Sequence, residues 1–505
     1  MSHLSKRRYR KVITNRKKRI EKRLRRKNYC DQENPKMSGS NIHYEVSEKT
    51  QALSYGGIGA IHQMVQRIGL VDELNERLKL LQYHLPYHES DHVLNIAYNV
   101  LVGGIRLEDI ELRRNDEVFL NALGAERIPD PTTAGDFTRR FDRIDIEELM
   151  EAINTTRQRV WKHRGRDLLD EAVIDIDGTL ASTYGECKEG MDISYKGIWG
   201  YHPLIISLAN SGEVLYLVNR PGNVASHQGA AEWIDKAIEV VGDQAKRICL
   251  RGDTDFSLTA HFDRWSEKVD FVFGMDSNKK LKGCAEALEA GVWKPLERKA
   301  KYQIKTQERR KPENVKEQRV IERGFKNMRL KSEEVVEFWY RPGKCRKEYR
   351  VVVVKKNLSV EKGELVLFDD IRYFFYITTR EDLSAAEVVE FVNGRCDQEN
   401  VIEQLKNGVN AMRMPVDNLL SNWAYMVMAA LAWNLKAWFA LMMRYKERCV
   451  QVLRMEFRTF LQSIILVPAQ IILQGRKIIY RFLRYTSWLK DFLGAWERIR
   501  VLKFG

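Results

Sequence analysis

Hydrophobic positions along the chain repeat with two different periods. From residue 37 to 160 the repeat is helical. Ile58, Ile61, Met64, Val65, Ile68 and Leu70 mark one amphipathic helix, and 92–102 marks a second that Gly103-Gly104 is expected to break. Thr132-Thr133, ahead of Asp136, Phe137 and Phe141, predicts a capped helix start, and 144–160 predicts a further helix. At Glu171 the pattern shortens and becomes β-branched. Strands are expected at 172–176, 204–209 and 214–218, the last two joined by the turn Asn210-Ser211-Gly212-Glu213, which makes a three-strand meander. A helix at 230–241 and strands at 247–250 and 271–275 follow. Residues 292–380 read as β-rich, with strands at 334–340, 350–354, 364–368 and 372–378, and 385–393 returns to helical spacing.

The stretch 411–443 is strongly apolar and carries Trp423, Trp433 and Trp438. Asn434 and Lys436 sit inside it, and both are expensive in lipid. A buried core helix or helical pair is therefore preferred over a membrane span. Residues 464–473 are too few to span a bilayer and contain Pro468 and Gln470. From Lys477 onward, basic residues alternate with Tyr480, Phe482, Tyr485, Trp488, Phe492 and Trp496, which predicts an amphipathic helix.

The charge is uneven. Of the net +15, residues 1–30 carry +13, with 14 Lys/Arg against Glu21 alone. Residues 444–505 add 13 Lys/Arg against four acids, so the middle of the chain is net acidic. Such a basic arm, whether a helix or a solvated tail, attracts a polyanion: DNA, RNA or an anionic membrane. The seven cysteines include no CxxC pair, which argues against a disulfide framework or structural zinc and for a reducing compartment. The N-terminus begins with charge rather than an apolar core, so no secretory signal is read there. The expected divisions are a basic arm at 1–36, a helical DNA-binding or dimerisation region at 37–165, and an α/β core in two parts at 166–290 and 381–443. A β-rich insertion at 291–380 separates those parts, and a basic helical region at 444–505 ends the chain.

Three acidic groups stand out. In Val173-Ile174-Asp175-Ile176-Asp177-Gly178-Thr179, the two-residue period puts Asp175 and Asp177 on one strand face. Two such carboxylates are costly to bury without a cation. In Arg251-Gly252-Asp253-Thr254-Asp255-Phe256 an apolar strand runs into an acidic turn, with Asp253 preferred over Asp255 because it is nearer the strand. In 395–406, Arg395, Glu399, Glu403 and Lys406 fall near one helix face. A solvated strand end and turn would account for the first group, and spacing alone favours an ordinary ion-paired surface helix for the third. Taken in order, however, they form three carboxylate stations with no His or Cys cluster, a set that suits a hard divalent cation such as Mg²⁺ or Mn²⁺. Two such ions serve phosphoryl transfer.

These three blocks resemble the bacterial insertion-sequence transposases of the DDE type, in the cut-and-paste branch with a ribonuclease-H-like core and an inserted β-domain. Asp175-Ile176-Asp177-Gly178-Thr179 is similar to the first acidic strand of that family, and Arg251 to Phe256 to the second motif. Arg395, Glu399 and Lys406 are similar to its Arg-x3-Glu-x6-Lys signature, although Val392 stands where the family usually has Tyr. The blocks Lys196 to Pro203 and Arg220-Pro221-Gly222-Asn223 also resemble family segments.

The resemblance implies an α/β, ribonuclease-H-like core with helical N- and C-terminal regions. Asp177, Asp253 and Glu399 would be the catalytic metal ligands, with Asp175, Asp255 and Glu403 as secondary acidic candidates. Arg251, Arg395, Lys406, Lys196 and Arg220 would position DNA phosphates. It further implies Mg²⁺, with Mn²⁺ able to substitute, and a homodimer that pairs terminal inverted repeats and joins them to target DNA. The hairpin route is expected of that branch and is not written in this sequence. The implied setting is the bacterial cytoplasm at the nucleoid, without a membrane. A nuclease that cuts without joining, a non-catalytic DNA-binding protein, and a membrane-surface protein suggested by the basic arm and the Trp-rich stretch are the rival readings.

Overall fold

The computed structural model describes residues 3–25, 37, 39–47, 49–165, 169–298, 314–363 and 365–502. Parts of the basic arm (26–36) and of the β-rich stretch (299–313), together with Cys30, lie outside them. The chain divides into two compact units, 1–160 with 404–505, and 161–403.

The first unit is helical. The apolar run becomes one helix, Leu419–Leu441, started by Asn418, whose side chain accepts the Ser421 N–H at 2.8 Å. It is long and apolar enough to cross a membrane, yet every residue from Ser421 to Leu441 is buried. It packs against the helices Glu89–Leu101, Pro131–Thr138 and Lys446–Leu453. Lys436 resolves its own burial locally: Nζ donates to the Leu453 carbonyl at 2.9 Å and lies 3.7 Å from the Trp433 ring centre.

Two local expectations are corrected in this unit. The helix at 131–138 is capped by Asp130, not by Thr132-Thr133, because Pro131 takes the first helical position and Asp130 accepts the Thr133 N–H at 2.9 Å. The segment after Lys477 is not helical at first: Lys477–Phe482 pairs with Ala469–Gln474 as a hairpin, and the helix starts at Leu489. Gly475 and Arg476 take positive φ in that turn, which explains the reversal. The basic arm forms the helix His3–Leu24, and Arg16 donates to the Phe482 carbonyl at 3.0 Å.

The second unit is built on a sheet. Among the described residues, nine strands join it: β1 Glu171–Gly178, β2 Leu204–Leu208, β3 Glu213–Val218, β4 Arg247–Gly252, β5 Asp270–Met275, β6 Lys294–Pro295, β7 Lys326–Tyr340, β8 Tyr349–Lys362 and β9 Leu365–Thr378. Their spatial order is β6-β7-β8-β9-β5-β4-β1-β2-β3. The meander β1-β2-β3 is antiparallel, whereas β1, β4 and β5 are parallel neighbours. This is the expected α/β, ribonuclease-H-like core, a mixed sheet in a chain whose two ends are helical.

The β-rich stretch continues that same sheet through pairing of β9 with β5, from Phe375↔Met275 to Thr378↔Val272. The two short strands expected at 364–368 and 372–378 are one. Asp369 and Asp370 stay in the ladder because they sit on its exposed half, ion-paired to Lys331 and Arg372. Nearer the core, Val351 to Val354 are all buried, as in strands covered on both faces. The helix Ala385–Asn393 supplies part of that cover, with Val388, Val389 and Val392 packed on Val272, Val352 and Val354. Val392, at the family's usual Tyr position, is therefore a core residue.

Candidate active site

β1 and β4 run parallel, with Ile176 opposite Gly252. The next residue on each strand is an aspartate, so Asp177 and Asp253 leave the same end of adjacent strands. Strand ends of this kind are where ligands settle in α/β sheets. Asp177 is held by its own turn, Oδ1 accepting the Gly178 N–H at 2.8 Å. Asp253 accepts the Asp255 N–H at 3.0 Å, which fixes the turn that follows β4.

Arg395 joins the two carboxylates. Its Nη1 lies 3.2 Å from Asp253 Oδ2 and 4.0 Å from Asp177 Oδ2. It does so from a turn between the helices Ala385–Asn393 and Cys396–Glu403, not from the helix face expected. Glu399 lies on the second of these helices, which is pinned over the meander by Gln398. That buried amide donates to the Ile205 carbonyl at 3.3 Å and also bonds Ser207, and Ile205 is the residue paired with Asp177 across the sheet. Gln398 is the positioning residue that sequence reasoning missed. Its only signal was a polar side chain on the face of that helix shared by Val401 and Ile402.

The electrostatics follow from this crowding. Burial first, then the neighbouring Asp253 charge, push the Asp177 carboxyl up to about 6, with Glu399 adding to the rise and Arg395 opposing it. Burial also raises Asp253, again against the pull of Arg395. The site thus gathers more negative charge than its guanidinium offsets. All of its donors are carboxylate oxygens, and such a set fits a hard divalent cation rather than zinc.

Other candidates fall elsewhere. Asp175 shares the strand face of Asp177 but is 1% exposed and takes a two-pronged bond from Arg251, Nε to Oδ1 at 2.6 Å and Nη2 to Oδ2 at 2.7 Å. The third prong of Arg251 donates to the Phe391 carbonyl at 2.7 Å. The two residues form an internal pair, so neither the extra ligand role of Asp175 nor the phosphate role of Arg251 stands. Arg220 is likewise buried, with its guanidinium donating to the carbonyls of His202, Ser226 and Gln228 at 3.0, 2.9 and 2.8 Å. It shapes a loop and has no surface for DNA. His202 is tied into the same loop by Nδ1 against the Val224 carbonyl at 2.6 Å.

Lys196 is exposed beside Tyr195 on a turn of the small sheet formed by Ala181–Ser182, Asp192–Ile193 and Trp199–Tyr201. Asp255 and Glu403 are exposed, and Lys406 is half-buried in the π turn Gln404–Gly408 that follows the Glu399 helix.

A carboxylate pair at parallel strand ends, with a third carboxylate on a helix laid over the sheet, is a donor arrangement that suits metal-assisted phosphoryl transfer. The family model described as "Transposase DDE domain group 1" matches residues 36–504, and the chain belongs to that family. Its activity class is accordingly the cutting and joining of DNA. Curated proteins give no match. Among solved structures, the cryo-EM structure of a piggyBac transposase synaptic complex with hairpin DNA aligns with 83% of this chain and 87% of that one. The identity is 11% and the TM-score 0.33.

Proposed function

We propose that the protein is an insertion-sequence transposase whose Asp177, Asp253 and Glu399 hold a pair of Mg²⁺ ions, for which Mn²⁺ can substitute. The observation that carries this reading is the convergence of Asp177 and Asp253 on one guanidinium, with Glu399 raising the Asp177 carboxyl from the helix above. When bound, the ions supply activation of the attacking oxygen and stabilisation of the charge that develops on the leaving oxygen.

The chain's own residues do the rest. Arg395, already between two of the carboxylates, is placed to hold a non-bridging oxygen of the scissile phosphate and to offset the charge that grows there. Water attacks phosphorus at each element end. The bond to the 3′ oxygen breaks, which leaves a 3′-hydroxyl and a 5′-phosphate. The freed 3′-hydroxyl then attacks a phosphodiester of the opposite strand, closing a hairpin, or one of target DNA; in either case the P–O3′ bond of the attacked phosphodiester breaks and its 3′ oxygen leaves as a new 3′-hydroxyl. Lys406 and Lys196 contribute backbone contacts. The basic helix His3–Leu24, the helical unit and the C-terminal basic region grip terminal-repeat DNA within a paired homodimer. The setting is the bacterial cytoplasm at the nucleoid.

The test is cleavage of the element's own flanking ends in Mg²⁺, with Asp253→Ala beside the unaltered chain. The expected result is cutting by the unaltered chain and none by the variant, with gel-shift binding retained. Full cutting by Asp253→Ala would overturn the site. Cutting without joining of a pre-cut 3′-hydroxyl end to plasmid would leave a nuclease in place of a transposase.

A further inference from the structure

In the helical unit, residues 81–88 form a loop that leads into the helix Glu89–Leu101. Glu89, the first residue of that helix, is a carboxylate at 1% exposure. Its Oε1 accepts the Leu81 N–H at 3.1 Å, from the start of the loop. Its Oε2 lies 3.1 Å from His84 Nε2, from the middle of the loop. Among the described residues, His84 is its sole ion-pair partner. A carboxylate so buried needs a compensating positive charge, and an imidazole is only a conditional one.

A second imidazole stands beside the first. The His84 and His88 rings stack with centres 4.2 Å apart, and one donor atom from each of His84, His88 and Glu89 falls within 4.8 Å of the others. The backbone of His88 is fixed by Asp91, whose Oδ2 accepts its N–H at 2.8 Å. Both imidazoles are exposed, while the carboxylate is buried.

We propose that His84, His88 and Glu89 form a binding site for a borderline first-row divalent cation of the zinc class, which clips the 81–88 loop to the start of the helix. Two imidazole nitrogens and one carboxylate oxygen are a zinc-type donor set, with a fourth position left for water. This is a different chemistry from the all-carboxylate site on the sheet. Tetrahedral ligation at ~2.0–2.1 Å brings donor atoms to about 3.3 Å from one another, so rotation of the two exposed rings is the adjustment required. Glu89 and Asp91 make the first helical turn acidic and offset the positive end of the helix, which would otherwise repel the ion.

The probe is Co²⁺, followed by its visible absorption, on the untagged full-length chain carrying Asp177→Asn and Asp253→Asn to silence the sheet site. One equivalent is expected to bind with an imidazole-ligated spectrum and to be displaced by Zn²⁺. His84→Ala and His88→Ala should each weaken binding by at least roughly 100-fold. His88 is exposed and stands outside the His84–Glu89 pair, so the melting curve of His88→Ala without metal should match the parent. No binding, or binding that survives both histidine substitutions, would overturn the site. Neither result touches the DNA-cleaving centre, whose test uses Mg²⁺ and a different unit of the chain.

Discussion

Asp177→Asn separates what the candidate site costs the fold from what it does to DNA. The Asp177 carboxyl is pushed from 3.8 to about 6, chiefly by burial and then by the charge on Asp253. A carboxyl displaced upward keeps its proton in the folded chain after the unfolded chain has lost it. Above about pH 6 both states are ionised and the fold carries the whole penalty; below about 3.8 both are protonated and the penalty is gone. Stability from this group therefore falls as pH rises through that window. A displacement of this size corresponds to roughly 3 kcal/mol at about 1.4 kcal/mol per tenfold change. Because the side chain is 16% exposed, solvent screens part of it, and roughly 1–3 kcal/mol is the realistic range.

Asparagine is nearly the same size, loses the charge and keeps an oxygen for the Gly178 N–H. In buffer with a chelator, the variant should melt higher than the unaltered chain at pH 8, by roughly 2–4 °C per kcal/mol. The gain should shrink to about half at pH 5. The same variant should cut no DNA. A variant no more stable at pH 8, or one whose gain is equal at pH 5 and pH 8, would refute the claim that carboxylate crowding strains this site.

Three further outcomes follow from named contacts. Asp175→Asn strands the Arg251 guanidinium in the core and should cost about 3–5 kcal/mol in urea denaturation, and an unchanged midpoint would contradict its role as an internal partner. Burial lowers the Lys436 ammonium to about 7, so the penalty for charging it is full below pH 7 and fades towards 10.5. Lys436→Met should therefore stabilise the helical unit by roughly 1–4 kcal/mol at pH 7 and by less at pH 10, as read by chemical denaturation at both. Removing residues 1–30 should weaken DNA binding and flatten its dependence on salt, and an identical slope of log affinity against log salt would exclude a phosphate-contacting arm.

How much of this was legible depended on whether a residue's role is set locally. Asp177 and Asp253 could be read as strand-end acids because each follows closely on a short run of apolar residues, and a strand end is a local fact. The helices at 230–241 and 385–393 were legible for the same reason. The Glu399 segment was half legible. Spacing put Arg395, Glu399 and Lys406 on one face, but the helix breaks at Gly394-Arg395 and loosens into a π turn at 404–408. A Cβ at position 394 would collide with the Arg251 guanidinium, so the glycine at that break answers to a residue 143 positions earlier.

The basic residues were the least legible, and the reason is physical. A carboxylate at a strand end is constrained by its own backbone, whereas a long guanidinium goes wherever its fork finds acceptors. Arg251 finds Asp175, 76 residues away, and Arg220 finds three loop carbonyls, so two cations expected at DNA are spent inside the fold. Arg395, similar in sequence context, stays at the surface between the two aspartates. The continuity of the sheet was hidden in the same way, since the β5–β9 pairing joins residues about a hundred positions apart and no local period encodes which edge a strand will meet. In this chain, then, the acids mark the candidate site, and the pairing of the arginines decides which positive charges remain beside it. Among the three, Arg395 is the one whose charge faces Asp177 and Asp253.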